Sequence, residues 1–226
     1  MSKKFTNSVL TLLGLKPIEL AATIITSIAL CVPAEAGAVL FNFDNVPQYS
    51  PLPLNVTVDG ITAHLSATGQ GFSIQSANVL GFTPAGFSGN SIYPNSVYPA
   101  DLIVGFSQTL TDFSILYAPE EYATDSSATM RVTAYMNGTF VGTNTATADP
   151  PGTWPSATLS FSSALGFNSV VVHYDAPPPT GGDYGPIFMA DNMNVTAVPE
   201  PGTYGMMLAG LGVVGLAVRR RKQTDA

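Results

Sequence analysis

Between residues 38 and 197 the chain holds no long amphipathic helical stretch, only short runs of β-branched and aromatic residues set between turn formers. Such runs are too short for helices and have the composition of strands. The candidates are Ala38–Phe43, Leu54–Val58, Ile61–Ser66, Leu102–Ser107, Asp112–Tyr117, Ala128–Met136, Thr139–Thr145, Ala157–Phe161, Phe167–Tyr174 and Phe188–Thr196. In Met130–Met136 the apolar residues fall on even numbers, and Arg131, Thr133 and Tyr135 on odd ones. A period of two buries one face of a sheet. Val170-Val171-Val172 reads as a strand covered on both faces. Asp59-Gly60 and Asn137-Gly138 each join two runs, and such pairs accept the positive φ values of tight hairpins. The expected fold is all-β, a two-sheet antiparallel sandwich of jelly-roll kind, with a barrel as the alternative. Thr83–Pro99, Ala118–Ser127 and Asp175–Pro186 read as long surface loops.

The charges narrow the possible partners. From residue 37 to 198 there are eleven acids and a single base, Arg131. A surface this negative does not bind nucleic acid or anionic headgroups, both of which need clustered cations. It suits solubility outside the cell and a divalent cation. Cys31 is the only cysteine and lies in the N-terminal segment, so the domain has no disulfide and no thiol nucleophile. Leu30 stands where a lipidated cysteine would need a small residue.

Both ends read as addresses. Lys3 and Lys4 precede an apolar run, Leu20 to Val32, and then Pro33-Ala34-Glu35-Ala36. This order is that of a secretory signal helix over residues 1–36, with Ala34 and Ala36 as the small residues read by signal peptidase. The apolar run rises only about 20 Å, short of a hydrocarbon core of roughly 30 Å. The C-terminal segment, residues 198–226, begins Val198-Pro199-Glu200-Pro201-Gly202. An apolar run over 204–218 follows, then Arg219, Arg220, Arg221 and Lys222. A proline-rich stop, a transmembrane helix and a cationic plug place the bases on the cytoplasmic side and the domain, residues 37–197, outside.

This C-terminal combination closely resembles the PEP-CTERM sorting signal. The resemblance implies recognition by an exosortase, a membrane-embedded protease-transpeptidase, with processing near Pro199-Glu200-Pro201. It implies a Gram-negative-type envelope and often an exopolysaccharide-producing host. A second resemblance joins Phe41-Asn42-Phe43-Asp44 to Met189-Ala190-Asp191-Asn192-Met193-Asn194-Val195. These segments resemble the first and last strands of galactose-binding-like jelly rolls, which often lie side by side.

The chemistry-bearing residues are sparse. The two histidines, His64 and His173, lie in strand runs with no Gly-x-Ser-x-Gly turn beside them. Each reads as a strand residue with a satisfied hydrogen bond. Glu120 and Glu121 are the one obvious carboxylate pair for a glycosidase, although an acidic loop explains them more simply. Calcium is the expected cofactor, because Asn42, Asp44, Asp191 and Asn192 would converge if the end strands pair. Tyr49, Tyr93, Tyr98, Tyr122, Trp154 and Tyr184 are the loop aromatics. Among them Trp154 and Tyr184 are candidates for stacking on sugars, although plugging the end of the sandwich explains Trp154 more simply. Together these features predict an exported, non-enzymatic surface or matrix protein. Its partners would be signal peptidase and exosortase during processing, and exopolysaccharide afterwards. The alternative is an adhesive module that binds another surface protein; a secreted hydrolase using Glu120 or Glu121 is a more remote one.

Overall fold

The computed structural model describes residues 37–119, 128–148, 154–175, 187–198, 205 and 209–215. The chain divides into a unit of Ala36–Val198 and a second made of the two termini. In the second, the described residues 205 and 209–215 are helical. Among the described residues no helix is long and apolar enough to cross a membrane. The expected signal helix and most of the 204–218 run lie outside the described residues.

The larger unit is all-β and antiparallel. Its strands are β1 (Ala38–Phe41), β2 (Leu54–Val58), β3 (Ile61–Ala67), β4 (Phe72–Ser76), β5 (Asn90–Pro94), β6 (Leu102–Pro119), β7 (Ala128–Met136), β8 (Thr139–Ala148), β9 (Ala157–Tyr174) and β10 (Phe188–Ala197). The two hairpin turns form as expected. Asp59 and Gly60 take φ of 46° and 79°, and Asn137 and Gly138 take 50° and 80°.

Two strands of 18 residues, β6 and β9, hold the architecture together. The first half of β6 pairs with β3 and with the end of β9; its second half pairs with β10 and with the start of β9. Register breaks occur between Gly105 and Leu110 and between Leu110 and Asp112. The buried residues of β6 change parity there, from Leu102, Val104 and Phe106 to Phe113, Ile115 and Tyr117. In β9 they pass from Leu159 and Phe167 to Val170, Val172 and Tyr174. An odd insertion in a strand turns its side chains to the opposite face. Each long strand thus bends and serves both layers, as strands do at sandwich corners. One layer runs β2-β3-β6-β9-β7-β8, and the other brings β4, β5, β1 and β10 to the second half of β6.

A single core joins the layers and includes Phe41, Phe72, Phe113, Phe167 and Phe188, all fully buried or nearly so. The Tyr117 hydroxyl donates to the Ala146 carbonyl at 2.8 Å, tying β6 to β8 through the core. Burial pushes its pKa up to about 12.

Several sequence expectations change. Each pair of runs, 102–107 with 112–117 and 157–161 with 167–174, is one bent strand. β4 was not expected, and β5 lies inside the stretch read as the loop Thr83–Pro99. Val171 is only half-buried, so the Val170–Val172 run is covered fully on one face. Of the other two loops, residues 120–127 and 176–186 lie outside the described residues.

Candidate functional site

The first and last strands pair antiparallel, Ala38 with Thr196 through Phe41 with Met193. Beyond this ladder each chain turns sharply, with Phe43 at φ 59° and Asn192 at φ 47°. The turns bring Asp44 and Asp191 to the segment Ser88-Gly89-Asn90. Asp44 Oδ1 accepts from the Asn90 amide at 2.8 Å, and Asp191 Oδ2 accepts from the Ser88 amide at 3.4 Å. Asp191 Oδ1 also accepts from the Asn192 amide at 2.7 Å. Gly89, at φ 59°, lies so close to Asp44 that a Cβ there would run into the carboxylate.

Asp191 is fully buried. Burial pushes its pKa up to about 7; the amides of Asn192 and Ser88 act the other way, and the charge of Asp44 adds to the rise. Among the described residues no base bonds to either carboxylate. Arg131 bonds to Asp175 on the other layer, and His64 Nδ1 donates to Asn55 Oδ1, 2.8 Å away. A buried carboxylate without a counter-charge is unfavourable, and it resolves by taking a proton or a cation.

Ser91 is the next neighbour. The Ala190–Ile92 bridge joins β10 to β5, and Ser91 and Asp191 each stand one residue from it on their own strand. Ser91 is fully buried, and its hydroxyl has no hydrogen-bond partner. The other two predicted ligands are partly occupied. Asn42 Oδ1 accepts from the Asp44 amide at 3.4 Å, and Asn192 Nδ2 donates to the Gly86 carbonyl at 3.2 Å. The side-chain nitrogen of Asn192 is thus engaged by Gly86, while its side-chain oxygen is left for another contact. Among the described residues no three His, Cys, Asp or Glu side chains gather. A cation here would rest on two carboxylates and on neutral hydroxyl, amide and carbonyl oxygens, a donor set that fits a hard ion such as calcium.

Asn90 extends the site outward. Its side chain donates to the Val46 carbonyl at 3.0 Å and accepts from Gln48 Nε2 at 3.0 Å. Tyr49 follows Gln48 and is 75% exposed. Sequence reasoning missed Ser88, Gly89, Asn90 and Ser91. The visible signal was Gly86-Phe87-Ser88-Gly89-Asn90, two glycines in a polar run, both at positive φ.

The remaining candidates lie elsewhere. Trp154 is buried in a satellite cluster with Phe87, Ala118 and Met189, stacked on Tyr93 with centroids 6.3 Å apart. Its ring is enclosed by protein, which corrects its candidacy for sugar stacking. Tyr98 is exposed near the start of β6. Tyr122, Tyr184, Glu120, Glu121, Ala34, Ala36, Pro199, Glu200, Pro201 and Arg219–Lys222 lie outside the described residues. Val198 is described; its amide donates to the Thr109 carbonyl at 2.8 Å, the last backbone bond of the domain.

Residues 197–222 match the PEP-CTERM protein-sorting motif. The chain is therefore an exported protein that is sorted through exosortase and is membrane-anchored before processing. No curated protein matches the chain. Among solved structures, it is similar to the K1 cleaved adhesin domain of Lys-gingipain from Porphyromonas gingivalis, at 17% identity and a TM-score of 0.41, covering 72% of this chain and 99% of that one. The K2 cleaved adhesin domain of Lys-gingipain gives 14% identity and a TM-score of 0.46, covering 71% and 99%. The module TmCBM61, solved with β-1,4-galactotriose, gives 8% identity and a TM-score of 0.36, covering 70% and 99%. At such scores none of these likenesses adds weight to a functional reading.

Proposed function

We propose that this PEP-CTERM-sorted chain is a non-enzymatic component of the cell surface or extracellular matrix whose β-sandwich associates with exopolysaccharide through a calcium-supported site. The observation that carries the reading is the meeting of Asp44 and buried Asp191 around Ser88–Asn90, with the buried, unpartnered hydroxyl of Ser91 next in the chain. Asp44, Asp191 and Ser91 would hold the ion, with Asn42 and Asn192 supplying amide oxygens. When bound, the ion neutralises the two carboxylates and offers open coordination to sugar hydroxyls. The chain's own residues supply the rest. Gln48 and Asn90 present amides, and the exposed Tyr49 ring is a face on which a pyranose can stack. Signal peptidase would act at Ala34–Ala36, and exosortase near Pro199–Pro201.

The test is co-sedimentation of the purified secreted protein with the host's extracted polysaccharide, in calcium and in chelator. Association lost on chelation and weakened by Tyr49→Ala is the expected result. Equal pelleting of Asp44→Asn and wild type in both conditions would refute the site.

A protein partner is the second reading, and β8 favours it. This strand closes one edge of its layer, and its ten residues, Thr139–Ala148, carry no charge. Edges without charge or proline are open to strand addition. Binding to matrix protein but not to polysaccharide would favour this alternative.

A further inference from the structure

Where the last strand leaves the sheet, the domain carries an apolar rim. Val198 bonds to Thr109 at the bend of β6. A Cβ placed on Gly166, in the bend of β9, would lie 2.6 Å from Thr109 Cγ2 and 3.6 Å from Met136 Cε. Asn168 Nδ2 donates to Asn137 Oδ1 at 2.7 Å, and the Asn137 amide donates to Asn168 Oδ1 at 2.9 Å. The exit point, both bends and the β7–β8 turn therefore share one end of the domain. Leu165, beside Gly166, is 85% exposed, the most exposed large apolar side chain described. Phe140, two residues past the turn, is 61% exposed and packs edge-on against Tyr135 at 6.3 Å. Leu165, Phe140 and Tyr135 thus belong to the segments that share this end with the start of the tail.

The tether there is short. Five residues lie between Val198 and Tyr204, the start of the apolar run, and with Tyr204 they make six Cα steps. Fully extended they reach about 20 Å. While the chain is anchored, this end cannot stand farther than that from the bilayer, and the opposite end cannot take its place.

We propose that the Leu165–Phe140–Tyr135 rim docks on the outer face of the lipid bilayer during the anchored stage, seating the domain on the membrane with the Asp44/Asp191 site free. The inference rests on the PEP-CTERM anchor and is separate from the polysaccharide reading. The docking is apolar. The acids at this end are Asp59, in the turn whose Gly60 carbonyl accepts from Gln108, and Asp112, whose oxygens accept from the Thr111 and Ser162 hydroxyls. The only Lys or Arg of the domain, Arg131, is engaged by Asp175. Aromatic and aliphatic side chains at the headgroup level supply such a contact without cations.

The experiment uses the full chain with Cys31→Ser, which leaves no other cysteine. Single substitutions Leu165→Cys, Phe140→Cys, Tyr98→Cys and Leu211→Cys each receive a bimane label. The proteins are reconstituted into phosphatidylcholine vesicles containing brominated acyl chains. Loss of fluorescence at 165, 140 and 211, with none at 98, is expected. Loss at 211 alone would show that the tail inserts while the domain stands off, and would overturn the docking. Loss at none of the four would remove the anchored stage and the docking with it. Equal loss at all four would show adsorption without a preferred face and would also overturn it.

Discussion

Two acidic clusters in this domain have opposite characters. On the outer face of one layer, Asp101, His173, Asp175 and Arg131 form a chain of contacts. His173 Nδ1 lies 2.7 Å from Asp101, its Nε2 3.5 Å from Asp175, and Arg131 Nη2 2.9 Å from the same Asp175 oxygen. All four are partly exposed, and the acids have cationic or titratable partners. Beside the terminal strands, Asp44 and Asp191 have backbone amides as partners and no base, and Asp191 is fully buried. The first cluster is complete within the chain, and water screens what remains. In the second, no base among the described residues balances the charge. Acid count alone does not distinguish them; burial and the placing of the one arginine do.

The largest expected effect follows from that imbalance. Asp191 has a folded pKa of about 7, raised above its unfolded value by burial. Between roughly pH 4 and pH 7 the folded state holds a proton that the unfolded chain has released, so stability falls as pH rises through that window. The full loss is on the order of 4 kcal/mol above pH 7 for a shift of this size. Urea unfolding in chelator across pH 4–8 should show the fall, and Asp191→Asn should flatten it. Saturating calcium should offset it at pH 7, because an ion bound only to the folded state stabilises it. A fall that calcium leaves untouched would break the contrast between the clusters.

Much of the fold was legible in alternation and turns. Met130, Val132 and Ala134 point inward as their spacing required, and Asp59-Gly60 and Asn137-Gly138 make their hairpins. The misreadings were physical in origin. The parity of buried residues reverses within β6 and β9, so a search for period two breaks each long strand at its bend. Phe72–Ser76 and Asn90–Pro94 are short and serine-containing, flanked by glycines and ending, for β5, on a proline. They become strands through pairing with each other, Ile74 with Ile92, which no local signal announces. Convergence of Asp44 and Asp191 was readable from the matched end strands. The bond donors at Ser88 and Asn90 come from a segment some 45 residues after Asp44 and 100 before Asp191, and such long-range contacts leave no trace in local composition.

Gly89 gives the next largest effect. A side chain there would meet the Asp44 carboxylate and would have to adopt φ 59°. Gly89→Ala should cost about 2 kcal/mol, from left-handed strain and overpacking together. It should also abolish any calcium-dependent rise in the urea midpoint, by displacing Asp44. Gly60→Ala, at a similar φ but with open space around it, is the control. It should cost stability while leaving the calcium response intact. Loss of that response in both variants would mean that the ion reports global stability and not the site.

The smallest effect tests the opposite side of the comparison. Arg131 is the domain's single base, and its pair with Asp175 is partly exposed, at 42% and 33% of the side chains. Surface pairs of that kind contribute about 0.2–1 kcal/mol, and salt screens them. Arg131→Gln should therefore lower stability by less than about 1 kcal/mol at low salt, with the difference fading at high salt. The buried Nε of Arg131 has no hydrogen-bond partner, so its removal leaves no broken bond at that atom. A loss of several kcal/mol, or one that high salt does not reduce, would mean that this cluster is no more self-sufficient than the one around Asp191.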